Sequence, residues 1–256
     1  MAHWEQNFDF YMGWVDDKPA SFVIDLNAAE HAPVATHPAR LHVRAKMRLE
    51  REDGLRDANE LEALGTFEDF VVDKLERAVD AIYAGRMVHD GYTELYFYVP
   101  DAAKARLENL GEILGDVPEY DPEWLVEDDA DWSFYEDFLY PDAFARQGML
   151  NRQLLEEIRS NGDANEIPRE IDHLAYFGTR SNAETAGALL KAAGFRLDDI
   201  EESEEKDDEA TRFALQFHRD DRLDGEHADK FCSEILNIVL DHDGMYDGWG
   251  TTIVKP

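Results

Sequence analysis

Carboxylates are the most abundant reactive side chains in this sequence. The 256 residues include 58 Asp and Glu against 25 Lys and Arg, which gives a formal net charge of -33. Carboxylates are too numerous for any pair to stand out as a general acid and base. The segment 241–244, Asp-His-Asp-Gly, has the first residues of a calcium-binding loop. The EF-hand pattern then requires Asp or Asn, Gly and Glu, where the sequence has Met245, Tyr246 and Thr252, so we expect no calcium site.

Histidine and cysteine residues show no spacing typical of a metal or nucleophilic site. His31, His37 and His42 lack the i, i+4 spacing of a helical zinc site. The single Cys232 excludes an internal disulfide and a thiolate zinc cage. The sequence contains no phosphate loop, dinucleotide fingerprint or nucleophile elbow. We therefore expect no catalytic residues, no metal and no cofactor, although the function of the N-terminal half is left open.

The strongly negative charge restricts the possible partners. Such a surface repels nucleic acid and anionic membranes, and it attracts basic partners with a strong dependence on salt. The same charge is also compatible with a simple role in solubility. The N-terminus has neither a basic nor an apolar leader segment, and no apolar run approaches the length of a membrane span. These features predict a cytoplasmic protein.

The first 140 residues have the periodicities of an α+β domain. Thr66 is the expected N-cap of its long helix, Gly85 is the expected end, and 121–131 is expected to be an acidic loop. The predicted elements are, in order, a hairpin of strands 8–15 and 20–26, a strand 41–49, a helix 60–83, a hairpin of strands 86–89 and 94–99, a helix from Pro100 and a strand 132–140.

A basic stripe lies on the predicted strand 41–49. Leu41, Val43, Ala45, Met47 and Leu49 alternate with the basic residues and should face the core. The stripe is either an anion-binding face or a sheet face that is neutralised by acidic residues on neighbouring strands. Its members are His42, Arg44, Lys46 and Arg48.

The second half begins with a predicted helix, 143–160, after Pro141-Asp142. We therefore place the domain boundary at Pro141, with domains 1–140 and 141–256. The apolar stripe of this helix is expected to be buried, and it consists of Phe144, Met149, Leu150, Leu154, Leu155 and Ile158. The later elements are a strand 171–178, a helix from its cap Ser181 to Ala193, a strand 195–200, an acidic loop 201–209, a strand 211–217, a helix 224–241 and a strand 245–254.

The last strand contains a tryptophan between two glycines. Alternation places Asp247 and Trp249 on one side and Tyr246 on the other. Glycines weaken a strand, so a bulge or a close backbone approach is expected here. Both halves then follow the order strand, helix, strand, strand, helix, strand. The predicted fold class is α+β, with two tandem ferredoxin-like (βαββαβ) units that are joined by a helix, the first preceded by a β-hairpin.

The C-terminal half, from about residue 145 to 256, resembles the RraB family of protein regulators of the endoribonuclease RNase E. The matching segments are Leu-Leu-Glu-Glu at 154–157, Asn-Gly-Asp-Ala at 161–164, Ile-Asp-His at 171–173, Ala-Ala-Gly-Phe at 192–195 and Tyr-Asp-Gly-Trp-Gly-Thr at 246–251. The resemblance implies a protein that acts by binding another protein. The extra domain in front departs from the family and puts the partner in question.

The first 140 residues resemble an uncharacterised bacterial family, the domain-of-unknown-function 695 group. The matching segments are 8–11, Phe-Asp-Phe-Tyr, 15–21, Val-Asp-Asp-Lys-Pro-Ala-Ser, and the block from Gly85-Arg86 to Tyr96-Phe97-Tyr98. This resemblance implies little about activity.

Three functions follow as hypotheses. The first is a regulator that binds a basic segment of an RNase E-type endoribonuclease or its scaffold, without direct nucleic-acid or membrane contact, and as a possible homodimer. The second is an enzymatic or small-molecule-binding pair of domains with a pocket between the sheets, lined by Tyr11, Trp14, Tyr96, Tyr98 and the basic stripe. The third is an acidic mimic of nucleic acid. For the first, the expected partner-binding residues are Asp247, Trp249, Glu201, Glu202, Glu204, Glu205, Asp207 and Asp208.

Overall fold

The computed structural model describes residues 4–49, 51–117, 119–202, 209–224 and 226–255. The chain divides into two compact units, Met1–Ala145 and Arg146–Pro256. Both units combine antiparallel sheets with helices, so the α+β class is confirmed. No helix among the described residues is long and apolar enough to cross a membrane.

The first unit contains a six-stranded antiparallel sheet in the order β1-β2-β4-β5-β3-β6. Its helix α1 packs on one face of this sheet, together with the short helices α2 and α3. The bounds are β1 Phe8–Val15, β2 Lys18–Asp25, β3 Ala39–Lys46, α1 Leu61–Val79, β4 Ile82–His89, β5 Tyr92–Val99, α2 Lys104–Leu107, α3 Leu110–Leu114 and β6 Glu123–Asp128.

Helix α1 begins before the predicted cap and ends before the predicted glycine. Thr66 lies inside the helix, where its hydroxyl donates to the Glu62 carbonyl at 2.9 Å. The helix ends at Asp80, which has the left-handed φ of 56°. The predicted cap was wrong because Leu64, one turn before Phe67, is fully buried, and its packing extends the helix through Gly65 and Thr66. The predicted end was wrong because Asp80 adopts the left-handed conformation and β4 begins at Ile82.

Gly85 lies within β4, at an irregularity in the pairing of β4 with β5. Its φ is +152°, and a Cβ atom at this position would lie 2.4 Å from the Val23 carbonyl oxygen of β2. We expect Gly85→Ala to lower the free energy of unfolding by about 2–4 kcal/mol, because both the backbone and its neighbour would have to move. Urea unfolding followed by circular dichroism measures the change.

The matched control is Gly65→Ala in α1, where an added Cβ meets no atom within 4 Å. Alanine should stabilise this helix position by about 0.5–1 kcal/mol. A Gly85→Ala variant as stable as the natural protein would contradict the close approach.

The segment 121–140 differs from the prediction in both of its parts. The expected acidic loop contains the strand β6, and the expected strand 132–140 contains a π-helical turn, Tyr135–Leu139. Trp132, Tyr135 and Leu139 are buried at helical spacing. The acidic strand is stabilised by long-range ion pairs that the local sequence does not reveal.

Those ion pairs join β6 to β3. Glu123 pairs with Arg44 of the predicted basic stripe at 2.6 Å, and Glu127 pairs with Arg40, which precedes the stripe on the same strand. On the other neighbour of β3, Glu94 of β5 lies 2.8 Å from His42. The interpretation of the stripe as a neutralised sheet face is confirmed.

Three of the four aromatic residues of the small-molecule hypothesis make packing contacts within the first unit. Tyr98 is fully buried and stacks on Trp132 with ring centroids 3.7 Å apart. Tyr96 stacks on His42, and the Tyr11 hydroxyl donates to the Leu139 carbonyl. Trp14 is exposed. The buried tyrosines therefore form part of an aromatic layer under the π-helical turn.

The second unit contains a five-stranded antiparallel sheet in which β11, β7, β10 and β8 are consecutive neighbours and β9 also pairs with β10. Helices α5 and α6 contribute to the core on one of its faces. The bounds are α4 Ala143–Ser160, β7 Arg169–Phe177, α5 Arg180–Ala192, β8 Arg196–Leu197, β9 Glu201–Glu202, β10 Phe213–Asp221, α6 His227–Leu240 and β11 Gly244–Gly250.

The cap of α5 is Thr179 rather than Ser181, because the Thr179 hydroxyl accepts from the Asn182 N–H at 3.2 Å. In α4, Phe144 and Leu150 are exposed, contrary to the prediction, whereas the polar Gln147 and Asn151 are buried. Met149 and Ile158 are buried and Leu154 and Leu155 pack against the core, as predicted. The prediction was wrong at Phe144 and Leu150, because α4 also buries a polar hydrogen-bonding face.

Candidate partner-binding face of the second unit

Strand β11 contains a β-bulge at Asp247. Tyr246 lies opposite Ala175 of β7, and Gly248 lies opposite the adjacent residue, Leu174, so Asp247 has no partner position in the register. Gly248 has a φ of +126°, which a residue with a side chain rarely adopts. The predicted bulge is confirmed.

The bulge changes which side chains share a face. Trp249 lies opposite His173, two residues from Ala175, so Tyr246 and Trp249 both point to the helix-covered face. Strict alternation had placed them on opposite sides, and this prediction was wrong because the extra residue shifts the register by one. Asp247 itself is exposed.

Asn151 of α4 is the centre of a buried polar network, which we call the Asn151 network. Its side-chain oxygen accepts from the Trp249 indole N–H at 2.7 Å and from the Gln147 amide at 2.9 Å. Its amide group donates to Asp229 of α6 at 2.8 Å. The Trp249 ring also packs edge-to-face on Phe231, with centroids 5.7 Å apart. Three elements are thereby joined at Trp249.

The titratable groups next to this network are kept neutral. The His173 Nδ1 atom lies 2.8 Å from the Tyr246 hydroxyl, and burial lowers the pKa of His173 to about 3. Burial raises the pKa of Cys232, whose sulfur lies 3.4 Å from the Asn151 side-chain oxygen, to about 12. A protonated, buried thiol is a poor nucleophile, and a histidine with this pKa does not titrate near neutral pH. This cluster supports packing rather than chemistry.

The face of the sheet that turns away from the helices carries a groove of about 420 Å³. Exposed carboxylates from three elements border it: Asp172 of β7, Asp198 after β8 and Asp247 of β11. Gln216 and His218 of β10 complete its polar lining. None of the three carboxylates forms an ion pair with a described residue, in contrast to Glu170 and Asp220, which share Arg196. The groove is therefore a locally unneutralised negative site. We call it the acidic groove.

Asp247 and Trp249 both line this groove, although the Trp249 ring points to the helix-covered face, and Glu201 and Glu202 lie elsewhere. The two glutamates form β9, exposed beside β10, with β7 between β10 and β11. At about 4.8 Å per strand, β9 and β11 are roughly 14 Å apart. Four of the predicted residues lie outside the described residues: Glu204, Glu205, Asp207 and Asp208.

Sequence reasoning missed Asp172, Asp198 and Asn151. Alternation in β7 could have indicated Asp172, because it lies between the buried residues Ile171 and His173. No sequence signal marks Asp198 or Asn151, since both depend on the packing of distant elements. Among the described residues, no group of three or more His, Cys, Asp or Glu side chains is placed to hold a metal ion.

Comparisons with known proteins assign the two halves separately. Residues 6–140 match a family model described as "Family of unknown function (DUF695)", and residues 149–251 match the model "Regulator of ribonuclease activity B". A protein of the latter name from Aeromonas hydrophila is 32% identical over 98 residues, which are 38% of this chain and 84% of that protein. Its counterpart from Actinobacillus succinogenes is 27% identical over 41% of this chain and 73% of its own length.

A third protein of that name, from Shewanella denitrificans, is 26% identical over 41% of this chain and 80% of its own length. Each alignment thus covers most of the relative and a C-terminal part of this chain. The chain belongs to the DUF695 family through residues 6–140 and to the regulator of ribonuclease activity B family through residues 149–251.

Proposed function

We propose that this chain is a non-catalytic regulator of RNA turnover that binds and inhibits an RNase E-type endoribonuclease in the cytoplasm. The relatives of the second unit are named as regulators of ribonuclease activity. The observation that carries the binding mode is the acidic groove, in which Asp172, Asp198 and Asp247 have no ion-pair partner among the described residues. A basic segment of the ribonuclease or its scaffold is the partner with matching charge.

The fold is suited to this role. We infer two tandem ferredoxin-like domains, 1–140 and 141–256, from the strand orders β6-β3-β5-β4 and β11-β7-β10-β8. In such a domain the helices cover one sheet face and leave the other available. The acidic groove lies on that available face of the second domain, where an extended segment can contact several strands at once.

Two kinds of negative charge have separate roles in this proposal. The net charge of -33 attracts a basic partner over a distance and raises its association rate. The acidic groove then fixes the bound position, with Asp247 held at the bulge and Trp249 held by Asn151. Glu201, Glu202, Glu204, Glu205, Asp207 and Asp208 belong to the steering surface.

The absence of catalysis is part of the proposal. The buried thiol of Cys232 has a raised pKa, and His173 is neutral and enclosed by aromatic rings. Neither group suits general acid–base or nucleophilic work near neutral pH.

The test is the binding of a purified RNase E-type endoribonuclease to this protein at low salt, with RNA cleavage measured in parallel. We expect inhibition of cleavage and an affinity that falls as salt rises. The double variant Asp198→Asn and Asp247→Asn should bind about tenfold more weakly, because it removes two groove charges and keeps the shape of their side chains.

Glu184→Gln is the matched control, since Glu184 is an exposed carboxylate on helix α5. It removes one charge away from the acidic groove and should change affinity by less than about twofold. Undetectable binding at low salt would overturn the proposed partner. If each removed charge weakens binding equally in the groove variant and in Glu184→Gln, the groove is not the binding site.

A further inference from the structure

Strand β1 of the first unit carries an exposed apolar stripe. Four side chains at every second position point to one face of the strand. Their exposed fractions are 39% for Phe8, 46% for Phe10, 53% for Met12 and 75% for Trp14. The stripe continues onto β2, where Val23, Ser21 and Pro19 lie opposite its later members. We call it the β1 stripe, and it consists of Phe8, Phe10, Met12 and Trp14.

The same strand is an edge of its sheet. Among the strands that the structure describes, β1 is hydrogen-bonded only to β2. Its eight residues pair in regular register from Phe8 opposite Asp25 to Val15 opposite Lys18. A long, regular and apolar edge strand is a template for pairing with another strand.

The other sheet edges among the described residues are protected against pairing. Strand β6 carries Glu123, Glu127 and Asp128, and β11 is interrupted by the bulge at Asp247. Strands β8 and β9 are two residues long each. Charged residues, bulges and short strands are the usual means by which proteins prevent edge pairing. Strand β1 has only one charged residue, Asp9, and no bulge.

We propose that the β1 stripe is the contact surface of a homodimer, in which β1 pairs antiparallel with β1 of a second copy. A two-fold axis at Tyr11 places Phe8 opposite Trp14 of the second copy and Phe10 opposite Met12. Each member of the stripe then meets another apolar side chain, so the surface is complementary to itself, as a two-fold interface requires. This inference does not depend on the proposed ribonuclease partner.

The exposed area is of the size that a weak dimer needs. With roughly 150–250 Å² for each large side chain, the stripe exposes about 400 Å² on each copy. A standard interface buries about 800 Å² per partner. Edge pairing brings the two stripes side by side on one face of a continuous sheet, so it buries part of this area together with the paired backbones, and the interface is smaller than the standard size. A dissociation constant in the micromolar range is expected.

Charge distinguishes a second copy from other occupants. The stripe and its neighbours Pro19, Ser21 and Val23 are uncharged, so they do not select a basic partner. Two copies with a net charge of -33 repel each other, and salt screens this repulsion. The homodimer should therefore become tighter as salt rises, whereas binding of a basic protein should become weaker.

The experiment is sedimentation velocity of the full chain from about 1 to 100 µM, at low and at high salt. We expect a concentration-dependent shift from one to two chains, at lower concentration in high salt. Trp14→Lys and Met12→Lys should each raise the dissociation constant about a hundredfold, because each substitution occurs twice in the dimer. The added positive charge reduces the repulsion between copies, so charge alone predicts the opposite effect.

Leu125→Lys is the matched control, an exposed apolar residue on the protected edge strand β6. The Leu125→Lys variant should dimerise with the same dissociation constant as the natural protein. Thermal unfolding of all three variants checks that the fold is retained. A natural protein that remains monomeric at every concentration and salt would overturn the proposal, as would Trp14→Lys and Met12→Lys variants that dimerise as well as Leu125→Lys.

Discussion

Replacement of Asp163 by alanine should destabilise the second unit by about 3–5 kcal/mol, the range for breaking a buried ion pair. The Asp163 side chain is 0% exposed and its partner Arg169 is 5% exposed. One carboxylate oxygen of Asp163 accepts from both the Arg169 guanidinium and the Val254 N–H, the latter at 2.7 Å. Alanine would leave a buried guanidinium without its counter-charge.

This ion pair also connects distant parts of the chain. The Arg169 guanidinium donates to the Ala164 carbonyl at 2.5 Å and to the Thr252 carbonyl at 3.4 Å. The loop before β7 and the segment after β11 are therefore joined at one side chain. Loss of the ion pair should destabilise both the loop before β7 and the segment after β11. The exchange of backbone amide hydrogens should therefore become faster in residues 163–169 and 252–254.

Urea unfolding measures the free energy of unfolding of the Asp163→Ala variant. The matched control removes an exposed ion pair. Arg196 bridges Glu170 and Asp220 at 2.7 and 3.1 Å, and it is half exposed. Arg196→Ala should cost less than about 1 kcal/mol, as is usual for surface ion pairs. If the two variants are equally stable, burial does not strengthen the Asp163–Arg169 pair.

The same pair predicts a loss of stability in acid. Burial opposes the ionised form of Asp163, but the hydrogen bonds from Arg169 and the Val254 N–H outweigh it and lower the pKa below its usual value. A lowered folded-state pKa contributes stability above the unfolded pKa of about 3.9, and that stability is lost as pH falls through the folded value. Asp163→Ala should therefore flatten the pH dependence below about pH 4.

Replacement of Asn151 by alanine should cost about 2–4 kcal/mol. The Asn151 oxygen accepts from Trp249 and Gln147, so alanine would leave two donors without this acceptor and open a small cavity. Asn151 is 99% buried, which limits replacement of these bonds by water. The indole of Trp249 should become more mobile, and the wall of the acidic groove would be less well defined.

Glu156→Ala on the exposed side of the same helix is the control, with an expected change within about 0.5 kcal/mol. Urea unfolding gives the free energies, and the exchange rate of the Trp249 indole N–H, resolved by NMR, reports the loss of its hydrogen bond. An exchange rate identical to that of the natural protein, with unchanged stability, would contradict the role of Asn151 as the anchor of Trp249.

Several features of this protein were predictable from local pattern. Helix α1 follows from the spacing of Leu64, Phe67 and Val71, and β10 follows from the alternation of buried Phe213, Leu215 and Phe217. These elements succeed because each buries one periodic apolar face, which is a local property. The acidic net charge and the resemblance to both families were also available from the sequence.

Other features depended on partners that are distant in the chain. The acidic strand β6 exists because Glu123 and Glu127 reach Arg44 and Arg40 of β3, about 80 residues earlier. The helical turn at 135–139 depends on burial of Trp132 and Tyr135 against the sheet. Local composition favoured a loop and a strand for these segments, and tertiary packing reversed both.

The acidic groove shows the same division. The sequence by itself determined that β11 carries an interrupted strand with Asp247 and Trp249, and that the protein is strongly negative. Only the tertiary structure decided that the bulge turns Trp249 inward to Asn151 and that Asp247 meets Asp172 and Asp198. The physical reason is that periodicity records which face of one element is buried, whereas a binding face is formed by the register between several elements.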